Sequence, residues 1–88
     1  MEYSLFTYPN CLNCEELKKY LKTTSLEGCE YSLVLKESKL KIRQFLHSLR
    51  RDEKGSIIIP TLVLEEEGKA VAVFNTQLEL DHWLKSRV

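Results

Sequence analysis

The chain has 88 residues, 43% hydrophobic and 30% charged, with 13 Lys and Arg against 13 Asp and Glu. This describes one soluble globular domain over 1–88 with a modest core, in which ~60–65% of the unfolded surface is buried. A formal net charge of zero argues against nucleic acid as a partner, which needs a basic stripe, and no apolar run approaches the ~18 residues of a membrane span.

The opening "MEYSLFTYPN" has no basic segment and only a broken apolar stretch, so it does not read as a signal peptide, and a cytoplasmic monomer is expected. "YSLFTY" (3–8) is short, apolar and β-prone, and Pro9 ends it. "CLNCEELKKYLKTTS" (11–25) follows with helical spacing: Cys14, Leu17 and Leu21 share one face, and Glu15 can pair with Lys18 or Lys19. Gly28 closes this region, and "CEYSLVL" (29–35) reads as a second strand. From Ser38 to Arg51 the period is helical again, with Ile42, Phe45, Leu46 and Leu49 on one stripe.

"RRDEKGS" is a charged loop. "IIIPTLVLEEEGKAVAVF" gives two strands around "EEGK", with Gly68 in the turn and the glutamates 65–67 as a solvated tip. "NTQLELDHWLKSR" is a final helix; Thr76 and Glu79 have capping-box spacing, and Leu80, Trp83 and Leu84 form its apolar face. The order β-α-β-α-β-β-α predicts an α/β fold: a mixed four-stranded sheet with helices on both faces.

Cys11 and Cys14 carry the chemistry. Placed where the first strand hands over to the first helix, Cys11 meets amide N–H groups that lack helical partners and the positive end of the helix dipole. Both favour a thiolate, which in such motifs titrates at ~3.5–7.5 rather than near 8.5. Glu15 and Glu16 in the same turn oppose this. Cys14 lies one turn on, a neighbour in helical geometry, and shares the inward face of Leu17 and Leu21. The pair therefore reads as an exposed attacking thiol and a sheltered resolving thiol.

Two other readings stand beside it: half of a zinc site, or two inert thiols. A structural zinc site needs four ligands, and Cys29, His47 and His82 show no matching spacing. Cys29, at the start of the second strand, falls at the far end of the sheet from Cys11. His47 reads as a surface residue. Pro60 in "IIIPTLVL" removes a ladder hydrogen bond, so it marks a strand start or a cis turn.

The strand–CxxC–helix, followed by Xaa-Pro at the head of a hairpin and then a terminal helix, resembles the glutaredoxin-like proteins of the thioredoxin-like superfamily over nearly the whole chain. The matching stretches are "TYPNCLNCEELKKYL", "IIIPTLVL" and "GKAVAVFNTQLELDHWL". The resemblance implies a thiol–disulfide oxidoreductase in which Cys11 is the nucleophile and Cys14 resolves the mixed disulfide. It also implies a cis Ile59–Pro60 bond, with the main chain of Ile59 pairing with the substrate. Tyr8, directly before the loop, either shields the dithiol or packs there. With Asn13, Ile59, Pro60 and Thr76 it makes up the expected substrate-binding set.

The departures from the family pattern are specific. Leu12 stands where proline commonly follows the first cysteine, Asn13 replaces an aromatic residue, and no lysine precedes the motif. "FNTQLELD" replaces the Gly-Gly and Asp stretch that holds the glutathione γ-glutamyl end, leaving Thr76 and the free amides of that helix start to hold a carboxylate. The expected partners are a disulfide-containing protein or small thiol, with glutathione or a thioredoxin-reductase-type flavoenzyme as reductant. No resident cofactor or metal is expected, and glutathione is at most a co-substrate. The alternatives are a thioredoxin-like module that binds a metal or cluster between two chains, or a non-catalytic interaction module.

Overall fold

The computed structural model describes residues 1–86. The chain runs β1 (Glu2–Thr7), α1 (Leu12–Lys22), β2 (Glu27–Ser32), α2 (Lys36–Ile42), a 3-10 turn (Arg43–Ser48), β3 (Thr61–Glu66), β4 (Lys69–Phe74) and α3 (Gln77–Ser86). The four strands form one mixed sheet in the order β2-β1-β3-β4. β1 is parallel to β2 and antiparallel to β3, and β3 is antiparallel to β4. No helix among the described residues is long and apolar enough to cross a membrane.

The sheet separates two cores. Because side chains alternate along a strand, β1 sends Leu5 to one face and Phe6 to the other. Leu5 joins Leu17 and Leu21 of α1, Leu62 and Leu64 of β3, Phe74 and Leu80. Phe6 joins Leu33, Ile42, Phe45, Leu49 and Val63. So α1 and α3 cover one face, and α2 with its 3-10 extension covers the other. The two central strands are buried on both sides, as a strand between two helical layers must be. Two buried hydroxyls in β1 find acceptors there: Ser4 donates to Glu65 at 2.5 Å and Thr7 to Glu30 at 2.7 Å.

Several boundaries differ from the sequence expectation. α1 stops at Lys22, because the Thr23 and Thr24 hydroxyls turn back to donate to the Tyr20 and Leu21 carbonyls. The second helix is an α-helix only to Ile42 and then tightens into the 3-10 turn, ending before Arg51. β3 starts at Thr61 rather than at the isoleucines; Ile57 makes only an isolated bridge to Arg51. Glu65 is not part of a solvated tip. It sits in β3, half-buried, bonded to Ser4 and 3.9 Å from Lys41. The turn proper is Glu67–Gly68, both at positive φ (53° and 79°).

Gly28 does not end an element: it lies inside β2, opposite Tyr3. A Cβ built there would fall 2.1 Å from the Tyr3 carbonyl oxygen, so only glycine allows the two strands to approach. Gly28→Ala is expected to lower stability by about 1–3 kcal/mol through this overpacking, read as a drop in the urea midpoint. β2 therefore begins two residues earlier than expected, and Cys29 is its third residue, opposite Ser4.

Candidate functional site

Three segments meet at one end of the sheet. β1 ends at Thr7, and Phe6 pairs with Thr61, so Ile59 and Pro60 lead into β3 beside the segment leaving β1. Leu62 pairs with Phe74, so Asn75 and Thr76 leave β4 at the same end. The register thus collects Tyr8–Cys11, Ile59–Pro60 and Asn75–Thr76 on one rim.

The chain turns from β1 into α1 through Tyr8, Pro9 and Asn10. Asn10 has φ 59°, a left-handed conformation that asparagine tolerates better than most residues. Cys11 is then extended (φ −111°, ψ 108°) and is the N-cap of α1. Its carbonyl accepts from the Glu15 amide at 3.1 Å, and its Sγ accepts from the Cys14 amide at 3.1 Å. A sulfur thus takes the place that a Ser or Asp oxygen takes in an ordinary cap.

Cys11 and Cys14 are joined as a disulfide with a Cα–Cα separation of 5.2 Å, inside the usual range for such bonds. The two sulfurs live in different surroundings. Cys11 is half-buried at the loop, while Cys14 is 1% exposed beside the Leu17 face. Of the two nearby glutamates, Glu15 is paired with Lys18 at 3.1 Å, which offsets part of its charge. Lys18 in turn is held above the usual lysine value by hydrogen bonds to Glu15 and Glu30.

The other predicted site residues are placed as follows. The Ile59–Pro60 bond is cis, and Pro60 is fully buried. Tyr8 is 50% exposed and lines a groove of about 490 Å³ with Leu33, Ile57 and Ile59, to which Lys39 and Arg51 contribute the charged groups. Leu12 and Asn13 are exposed on the first turn of α1. Thr76 caps α3, its Oγ1 accepting from the Glu79 amide at 3.1 Å. Cys29 is a free, exposed cysteine on the edge strand, apart from the rim. Among the described residues no group of three or more His, Cys, Asp or Glu is gathered to hold a metal ion.

A polar network behind the proline segment was not anticipated. Asn75 is 7% exposed, and its Nδ2 donates to the Ile58 carbonyl at 3.0 Å and the Pro60 carbonyl at 2.9 Å. Its Oδ1 accepts from Arg50, its amide donates to Glu79 Oε1 at 2.9 Å, and Arg50 pairs with Glu79. In the sequence, Glu79 was visible as a capping residue, but neither Arg50 nor Asn75 carried a local signal.

Burial alone would push the Glu79 carboxyl up; the Arg50 hydrogen bond and the Asn75 and Thr76 amides outweigh it and hold the group below its ordinary 4.5. A depressed carboxylate stabilises the fold above its unfolded value and ceases to do so as pH falls through the folded value. Asp81, held down first by the Tyr20 hydroxyl and then by Lys85, acts in the same direction. Thermal stability is expected to fall as pH drops below ~4.5. Glu79→Gln should flatten that fall while lowering the plateau at neutral pH.

No family model, no curated protein and no solved structure matches this chain. The chemistry of the rim carries the functional reading.

Proposed function

We propose that this chain is a thiol–disulfide oxidoreductase with a thioredoxin-like, glutaredoxin-type architecture. The observation that supports this most is the asymmetry of the CxxC pair. Cys11 is reachable at a helix N-terminus and accepts an amide hydrogen bond at sulfur, whereas Cys14 is within bonding reach but sealed beneath it.

In the reduced protein the same amide and the helix dipole favour the Cys11 thiolate. The thiolate attacks one sulfur of a substrate disulfide and expels the other as a thiolate, forming a mixed disulfide. Cys14 then loses its proton and attacks Cys11 Sγ, expelling the second substrate thiolate. The substrate gains two electrons and, on protonation, two protons. The protein is left with the Cys11–Cys14 bond. Glutathione or a reductase-type flavoenzyme returns the two electrons. On the rim that the strand register builds, Pro60 and the main chain of Ile59 bind the substrate strand in this reading, and Tyr8, Asn13 and Thr76 complete the substrate-binding set. The substrate is a disulfide-containing protein or small thiol, handled in the cytoplasm by a monomer.

The test is reduction of a polypeptide disulfide by dithiothreitol with the protein in catalytic amounts. Thiol release well above the reductant-only rate supports the reading. A rate equal to that blank contradicts it.

A further inference from the structure

We infer that Asn75 is a positioning residue that holds the Ile59 main chain open for a substrate backbone. This rests on the oxidoreductase reading and adds a residue to it. The main-chain groups on either side of Ile59 are all paired. The Ile58 amide donates to the Arg50 carbonyl at 3.1 Å. The Ile58 carbonyl accepts from Asn75 Nδ2 and from the Thr61 hydroxyl. The Pro60 carbonyl accepts from Asn75 Nδ2, and proline has no N–H to offer. Among the described residues, no hydrogen bond reaches the N–H or carbonyl of Ile59.

One side-chain amide therefore ties the carbonyls on both sides of a single unpaired residue. The amide is itself buried, and its oxygen and backbone are fixed by Arg50 and Glu79. Main-chain pairing with an incoming strand needs both Ile59 groups at a fixed spacing and angle. The Asn75 bridge supplies that without using either group. A substrate that presents a backbone gains from it; a disulfide that has no backbone does not.

The experiment compares two disulfides with reduced wild type and with Asn75→Ala: the disulfide-linked dimer of a blocked cysteine peptide, and bis(2-hydroxyethyl) disulfide. The expected result is a fall of about tenfold in the peptide-to-small-disulfide rate ratio, expressed in KM for the peptide, as for loss of one well-placed polar contact. Thr61→Val, which removes the hydroxyl that donates to the Ile58 carbonyl and accepts from Asn75 Nδ2 at 3.3 Å but leaves both Asn75 bonds to the flanking carbonyls, serves if Asn75→Ala does not fold and should lower the ratio by about twofold to threefold. A parallel fall with both disulfides would assign Asn75 a purely structural role and overturn the inference, as would no change with either. Failure of the wild type to exchange with either disulfide would instead remove the oxidoreductase reading itself, and the positioning role with it.

Discussion

Cys11→Ser is expected to abolish disulfide exchange, and Cys14→Ser to stop it after the first step. The two outcomes differ because the two sulfurs differ. Cys11 is the one a substrate can reach, and the Cys14 amide donates to it. A serine hydroxyl there is not ionised at neutral pH, so no nucleophile remains and turnover should drop by at least about a thousandfold. Cys14 is 1% exposed and meets only a sulfur already attached to Cys11. With serine at position 14 the mixed disulfide has no internal exit and should accumulate. Mass spectrometry of Cys14→Ser after mixing with a disulfide peptide should show one peptide per chain, on Cys11. An adduct on Cys29 alone would point to ordinary surface chemistry of an exposed thiol.

Phe6→Ala is expected to cost about 3–5 kcal/mol, the range for removing a buried aromatic ring. Phe6 is 0% exposed in the central strand β1. Its ring stacks on Tyr31 at 5.5 Å and meets Phe45 at 6.2 Å. These contacts join the sheet to the α2 layer, so the cavity left by alanine lies where two elements meet and cannot readily collapse. Domains of this size have total stabilities of ~5–15 kcal/mol, so the variant should lose much of its cooperative transition at moderate temperature. Leu12→Ala, at a position 82% exposed, is the contrasting substitution and should stay within about 0.5 kcal/mol of the parent. Urea unfolding followed by circular dichroism measures both.

Local pattern decides the faces of α1 and α3. The Cys14, Leu17, Leu21 face of α1 is buried as its spacing implied, and Leu80 anchors α3 in the core. Trp83 is only half-buried, set edge-on to Phe74 at 5.7 Å. Pattern failed where tertiary contacts decide. Of the stripe Ile42, Phe45, Leu46 and Leu49, all but the half-buried Leu46 are buried, yet the backbone beneath it changes from α to 3-10, because i, i+3 spacing suits both helices. Glu65 read as solvated because its neighbours are charged; its partner Ser4 lies 61 positions away. Asn75 likewise works through residues 14 to 25 positions away, and no window of sequence reports such contacts. Cys11, Cys14 and Pro60 were legible because their residue types restrict what the chain can do at those points.

The most direct measurement is mass spectrometry of the fully reduced protein after a short pulse of oxidised glutathione, with the modified positions mapped. The expected result is a transient glutathione adduct on Cys11, followed by loss of two hydrogens assigned to a Cys11–Cys14 bond. Unmodified Cys11 and Cys14, or reaction at Cys29 alone, would contradict it.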